Sequence, residues 1–146
     1  YATADAFLII QEINIALTAD VGTFPRLVKL IPEGIVRELA YTGRRFTAQE
    51  AKEAGLINRV FANHEEMMTQ VMAIAREIAN KAPIAIYGSK RMINYARDHS
   101  TADGLDYISI WNSSMANNPE IMEALTAKQE GRPADFVDLP ARRTHR

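Results

Sequence analysis

The chain has 146 residues, enough for one modest domain with its own core. Its 17 basic and 18 acidic residues nearly cancel, which argues against a general nucleic-acid binder and leaves no polybasic membrane patch. The absence of cysteine excludes disulfide scaffolds, thiol catalysis and Cys-ligated zinc, and suits a reducing compartment. The longest apolar runs fall far short of the roughly 20 residues that span a bilayer, and no signal peptide is legible. The chain opens at Tyr1 within an apolar stretch and without an initiator Met, as expected for part of a longer polypeptide.

Residues 6–10 (AFLII) read as a short buried strand. LTADVGTFP (17–25) reads as a loop punctuated by Gly22 and Pro25. A helix is expected from Glu33 to Tyr41, ended by Thr42-Gly43. Thr47 with Glu50 forms a capping box for the next helix, Gly55 supplies a left-handed end, and Leu56 to Phe61 reads as a strand. Asn63 then caps a longer helix, with Met67, Met68, Val71, Met72, Ala75, Ile78 and Ala79 at helical spacing. The Met-rich part of that stripe is most simply core packing. Pro83 suits the first turn of a helix through Arg97, with Gly88 a weak point inside it. Ser100 with Asp103 starts a helix expected to bury Leu105, Ile108, Trp111 and Met115. Asn118-Pro119-Glu120 opens the last helix, Gly131 and Pro133 stop it, and the polar tail from Arg132 is expected to be extended or mobile.

The chemistry-bearing feature is QEINIALTAD (11–20), which sets Glu12 and Asp20 eight residues apart in a nearly uncharged apolar run. Two carboxylates separated by a loop can divide acid and base duties if both reach one cavity. Apolar burial penalises the charged form, which would bring Glu12 toward a useful proton-transfer range. The plain alternative is that Glu12 ends a strand at the surface and Asp20 caps a loop. The histidines are scattered: His64 at a helix start, His99 between helices and His145 in the tail. None has a partner at metal-ligand spacing. Ser113-Ser114 lacks a nucleophile-elbow setting, and no Gly-rich phosphate loop occurs. Asn112-Ser113-Ser114 fits a glycosylation sequon by chance, within a helix. Arg44-Arg45, Lys90-Arg91 and Lys128 are candidate phosphate contacts, each with a solvated helix face or loop as its ordinary alternative.

DAFLIIQEINIALTADVGTFPRL (5–27) resembles the middle of an enoyl-CoA hydratase/isomerase (crotonase-type) chain, and FTAQEAKEAGLINRVF (46–61) resembles the block that follows there. Where hydratases carry a P-G-x-G-G-T loop, this chain has Ala19-Asp20-Val21-Gly22-Thr23, with an acid in the loop. Residues 89–115 (SKRMINYARDHSTADGLDYISIWNSSM) are similar to the corresponding helices of the dienoyl-CoA isomerase branch. The similarity runs from Tyr1 to about Lys128.

The resemblance implies an α/β crotonase-type fold of stacked β-β-α turns, of which this segment, the C-terminal half, is mostly α-helical with a few short strands. It implies a division into 1–61, the end of the spiral core with the active-site acids, 62–131, a helical oligomerisation region, and 132–146, a polar tail. Glu12 matches the glutamate that exchanges a proton at C2 of the acyl thioester, and Asp20 matches the second acid, serving C6. Ala16 and Leu17, between the acids, are expected wall residues. Lys128 falls where the family's last helix offers a lysine to the CoA of a neighbouring subunit, its usual aromatic companion being replaced by Leu125. The implied substrate is an acyl-CoA, with no cofactor or metal. The implied assembly is a homotrimer or hexamer, with no nucleic acid and no membrane span. The implied compartment is the cytoplasm in a bacterium and the mitochondrial or peroxisomal matrix in a eukaryote. The oxyanion-hole peptides and a third acid are expected upstream of Tyr1, so this segment alone should not catalyse. A hydratase using Glu12 on C2, and a non-catalytic CoA-binding or assembly module, remain as alternatives.

Overall fold

The computed structural model describes residues 1–141. They form two compact units, Tyr1–Ala73 and a second that begins at Ile74. The division falls inside a long helix, twelve residues beyond the boundary expected at 61/62.

In the first unit, β1 (Ala2–Thr3) pairs in parallel with β4 (Val60–Phe61), Ala2 opposite Val60 and Thr3 opposite Phe61. The second pair is antiparallel, β2 (Phe7–Leu8) on β3 (Phe46–Thr47), with Leu8 opposite Phe46. A 3₁₀ turn over Glu12–Ile15 follows β2. The expected loop 17–25 is shorter than its composition suggests, because α1 starts inside it at Thr23 and runs to Leu27. Pro25 is tolerated there since the N–H groups of a first helical turn have no intrahelical partner.

Helix α2 (Glu33–Thr42) ends at Gly43, whose φ of 59° is the left-handed conformation that a residue without Cβ adopts freely. Helix α3 (Ala48–Glu53) carries the expected capping box: Thr47 Oγ1 accepts from the Glu50 N–H, and the Glu50 carboxylate accepts from the Thr47 N–H at 2.8 Å. The Thr47 N–H and the Thr47 hydroxyl, each donating to Glu50 Oε2 at 2.8 Å, helped by the Arg44 guanidinium 2.9 Å from the carboxylate, hold the Glu50 carboxyl below its ordinary pKa. The strand expected over Leu56–Phe61 is only Val60–Phe61, because the Leu56 and Ile57 N–H groups are both bound to the Ala51 carbonyl. That bonding wraps the end of α3 and leaves nothing for a ladder.

The core of this unit is Ile31, Val36, Leu39, Phe46 and Ala51, with Ile10, Phe24, Leu27, Ile35, Leu56 and Ile57 packed against it. Each large member contributes about 1.5–3 kcal/mol of burial free energy.

The capping of α4 (His64–Ala79) is as expected: Asn63 Oδ1 accepts from the Glu66 N–H at 2.9 Å, and Glu66 returns a bond to the Ala62 N–H. Its methionine stripe does not enter a core of this chain. Met67 is half-buried and Met68 and Met72 are exposed, so the helical period marks an apolar face without identifying its cover.

The second unit is built on an antiparallel pair, α5 (Pro83–Ala96) and α6 (Thr101–Ser114). Gly88 is buried at their closest approach, where a Cβ would lie 2.6 Å from Trp111 Nε1. The expected weak point of α5 is therefore where the two helices dock. Tyr87 leans on Trp111 and Tyr95 on Tyr107, with ring centroids 5.9 and 4.6 Å apart. Of the residues expected to be buried from α6, Trp111 and Met115 are half-buried while Leu105 and Ile108 are exposed. Asn118 caps α7 (Pro119–Glu130), and Glu120 reaches back to accept from the Ile84 N–H at 3.1 Å, capping α5 from a different helix.

The start of the tail, expected to be extended or mobile, is fastened to α7. Arg132 forks onto the two Glu123 oxygens at 2.7 and 3.1 Å, and the Asp135 N–H binds the same carboxylate at 2.8 Å. Residues 133–141 have no regular secondary structure but are fastened at this point.

Candidate functional site

The first unit holds an apolar cavity of about 290 Å³. Leu8, Ile9 and Ile10 line it from β2 and the residues just after, and Val21, Gly22 and Thr23 from the turn into α1. Leu27, Leu30, Leu39, Phe46 and Leu56 close it, and Arg26 is the one charged lining residue.

Glu12 and Asp20 stand beside two of these lining segments. Glu12 follows Ile10 by two residues, opens the 3₁₀ turn and is half-buried. The position of its turn is set from α2: a Cβ at Gly43 would lie 2.8 Å from Asn14 Nδ2 and 3.0 Å from Ile13 Cγ2, so the turn rests directly on that glycine. Asp20 immediately precedes Val21 and is exposed. Its Oδ1 accepts from the Val21 N–H at 2.7 Å, and its carbonyl accepts from the N–H groups of Gly22 and Thr23. The carboxylate is thus tied into the turn that starts α1.

Ala16 ends the 3₁₀ turn with φ at 59°, the one non-glycine left-handed residue described, and its N–H is bound to the Ile13 carbonyl. The Leu17 N–H returns to the Glu12 carbonyl at 3.0 Å. This chain reversal leaves Ala16 and Leu17 exposed, and neither lines the cavity. Lys128 is exposed in the last turn of α7, in the second unit.

The other candidates have ordinary roles. His64 is the first residue of α4, while His99 stacks on Tyr95 at 3.6 Å, its Nδ1 2.8 Å from the Tyr95 carbonyl; His145 lies outside the described residues. Ser114 bonds the Trp111 carbonyl, and Asn112 and Ser113 lie in the last turn of α6. Arg44 bridges Glu38 and Glu50, Arg45 lies over the Phe7 ring at 4.2 Å, and Arg91 bonds the Tyr107 hydroxyl. Among the described residues no group of three or more His, Asp or Glu side chains is placed to hold a metal ion, and no helix is long and apolar enough to cross a membrane.

Sequence pattern missed the lining residues outside the interval between the acids, and Arg26 with them. Arg26 follows Val21 by five residues and donates from Nη1 to its carbonyl at 3.0 Å, a contact that only the bend at Gly22 permits. The glycine preceding the short helix was the available signal.

The chain is 41% identical over 138 residues to a mitochondrial Delta(3,5)-Delta(2,4)-dienoyl-CoA isomerase of Mus musculus, covering 94% of this chain and 42% of that protein. It is 38% identical over 139 residues to a peroxisomal one of Arabidopsis thaliana, covering 95% and 50%. A solved structure of an enoyl-CoA hydratase from Bacillus anthracis superposes with a TM-score of 0.86 at 31% identity, covering 92% of this chain and 52% of that one. The chain therefore spans about half the length of the relatives it matches, or less. Residues 1–139 match the family Enoyl-CoA hydratase/isomerase, and the chain belongs to that family, with its crotonase-type fold.

Proposed function

We propose that the protein carrying this chain is an acyl-CoA double-bond isomerase that converts 3,5-dienoyl-CoA to 2,4-dienoyl-CoA, as a step in the oxidation of unsaturated fatty acyl chains. The observation that supports this most is the acid at position 20, fixed in the turn whose next three residues line the apolar cavity, with Glu12 two residues beyond another lining segment.

The chemistry needs two acids and a dry wall. The Glu12 carboxylate takes a proton from C2, the 3,4 and 5,6 double bonds move to 2,3 and 4,5, and the Asp20 carboxylic acid gives a proton to C6. The intermediate is a delocalised enolate. One proton is lost and one gained, so no electrons are exchanged with a cofactor and none is needed. The cavity would hold the carbon chain away from water, which competes in both transfers. Ala16 and Leu17, exposed between the acids, would contact the substrate from outside the cavity, and Lys128 would serve a CoA phosphate across a homotrimeric or hexameric contact. Donors for the thioester oxygen would come from residues beyond these 146. Two relatives carry mitochondrial and peroxisomal in their names, and either matrix suits this substrate.

The solved hydratase keeps a second chemistry in play, in which Glu12 acts on C2 and Asp20 is a loop residue. Kinetics on the full-length protein separates the two. Isomerisation forms the strongly absorbing conjugated 2,4-dienoyl thioester, and both Glu12→Gln and Asp20→Asn should abolish it. Hydration of a 2-enoyl thioester with Asp20→Asn fully active, and no dienoyl product from the wild type, would establish the hydratase instead. A full-length protein that binds CoA esters and turns over neither substrate would be the binding module.

A further inference from the structure

The Asp20 carboxylate sits on a very small scaffold. The turn 20–23 is held by the Val21 N–H on Asp20 Oδ1 and by the Gly22 and Thr23 N–H groups on the Asp20 carbonyl. All of these bonds are internal to four residues, and Asp20, Val21 and the helix residues Pro25 and Arg26 are exposed. The Thr23 N–H, the first of α1, ties the Asp20 carbonyl to the helix; the Val21 carbonyl, on the next peptide of the turn, takes its bond from further along α1.

Arg26 supplies that bond. Its Nη1 donates to the Val21 carbonyl at 3.0 Å, one helical turn back across the bend. The guanidinium also lies against Gly22 by its Nη1 end: a Cβ there would be 2.5 Å from Nη1, 3.0 Å from Cζ and 3.5 Å from Nη2. Gly22, at φ of 87°, thus supplies both the left-handed bend and the room for the guanidinium, and its own N–H is one of the two bound to Asp20. Arg26 is also the only charged residue lining the apolar cavity, so its head closes that end of the wall.

We propose that Arg26 is a positioning residue that locks the Asp20 turn onto α1 and so determines proton delivery at the far end of the substrate's conjugated system, an assignment that rests on the isomerase chemistry above. Glu12 is carried by a separate element, the 3₁₀ turn resting on Gly43, so loosening the Asp20 turn leaves proton removal at C2 in place. The enolate then returns to substrate by reprotonation at C2 more often than it goes forward by protonation at C6. A misplacement of the order of 1 Å costs up to about 100-fold in such a transfer.

The test uses the full-length protein in D₂O with 3,5-dienoyl-CoA, comparing wild type, Arg26→Met, Arg26→Lys and Asp20→Asn. Arg26→Met should lower deuterium delivery to C6 by about 10- to 100-fold while deuterium still enters C2 of recovered substrate near the wild-type rate. Arg26→Lys, which keeps one donor for the Val21 carbonyl, should fall between. Equal loss at C2 and C6 would mark a general folding defect and overturn the proposal, as would unchanged C6 delivery in Arg26→Met. If Asp20→Asn itself leaves C6 delivery intact, the isomerase assignment fails instead. Hydrogen exchange decides the lock independently of activity. The amides of Gly22 and Thr23 should lose protection in Arg26→Met, and unchanged protection would refute the lock even in an inactive protein.

Discussion

Gly88→Ala tests the packing of the second unit most sharply, because two effects of opposite sign meet at one atom. In an isolated helix the substitution stabilises by about 1 kcal/mol, since alanine loses less backbone entropy than glycine. Here the added Cβ would meet Trp111 Nε1 at 2.6 Å, Cε2 at 2.9 Å and Cζ2 at 3.0 Å. Comfortable carbon contacts lie near 3.5–4.0 Å, so the overlap approaches about 1 Å. The indole is a rigid ring that also packs against Tyr87, with centroids 5.9 Å apart, so it yields less readily than a flexible chain end. Overpacking of this kind costs about 1–3 kcal/mol, which exceeds the helix gain, and a net loss of about 1 kcal/mol is expected. Trp111 is the only tryptophan, so urea titration followed by its fluorescence reports on this contact directly. The control is Trp111→Ala, which removes the ring that collides. In that background Gly88→Ala should be neutral or stabilising by circular dichroism, giving a coupling energy of about 1–2 kcal/mol. A higher urea midpoint for Gly88→Ala in the Trp111 background would refute the docking argument.

Gly43→Ala should destabilise by about 2–3 kcal/mol in urea titration, from the left-handed φ of 59° together with the contacts on Asn14 and Ile13. It should also lower turnover of the full-length protein by about 10-fold or more, since those contacts seat the turn bearing Glu12. Thr47→Ala should cost about 1 kcal/mol, and the Glu50 carboxyl should titrate closer to its ordinary range by carbon NMR once the hydroxyl is gone. The Glu123 carboxyl is pulled down to about 2, first by the Arg132 guanidinium and then by the Asp135 N–H. Its folded value lies below the unfolded one of about 4.5, so the stabilisation is fully present above that pH and is lost as pH falls toward about 2. Exchange protection of the Asp135 amide should therefore hold at neutral pH and vanish across that acid window. In Glu123→Gln it should be weak throughout, and protection that ignores both changes would dissociate the tail from this clamp.

The parts of the fold that could be read from sequence are those whose partners lie within one turn. Thr47 with Glu50, Ser100 with Asp103, Asn63 with Glu66 and Asn118 with Glu120 each close a bond over two or three residues, so the residue types alone specify them. Gly43, Gly55 and Gly131 take left-handed conformations for an equally local reason. The failures are the features decided at a distance. Leu56 and Ile57 have strand-like side chains, yet their N–H groups are claimed by Ala51, and the strand shrinks to two residues. Gly88 is unfavourable in a helix by propensity, and only Trp111, on another helix, explains it. Arg132 and Glu123 are nine residues apart, beyond any periodicity, and they fasten the start of a tail whose polar composition signals no such contact.

The candidate site divides along the same line. Two carboxylates in a greasy run stand out chemically, and the structure gives each a defined seat, one on a 3₁₀ turn against Gly43 and one in the turn before α1. The wall between them was the harder inference. Ala16 and Leu17 were natural choices from their position between the acids; the chain reverses at a left-handed Ala16 and leaves both exposed, while Ala19 is buried. The cavity is lined instead by residues flanking the interval, Leu8–Ile10 and Val21–Thr23, and by Leu39, Phe46 and Leu56 from beyond it. That arrangement has a physical logic. A reversal places the residues before and after it side by side, so the flanks form one surface, and each acid adjoins one of those flanks in sequence. The eight residues from Glu12 to Asp20 hold the 3₁₀ turn, the left-handed reversal at Ala16 and the return to the turn before α1.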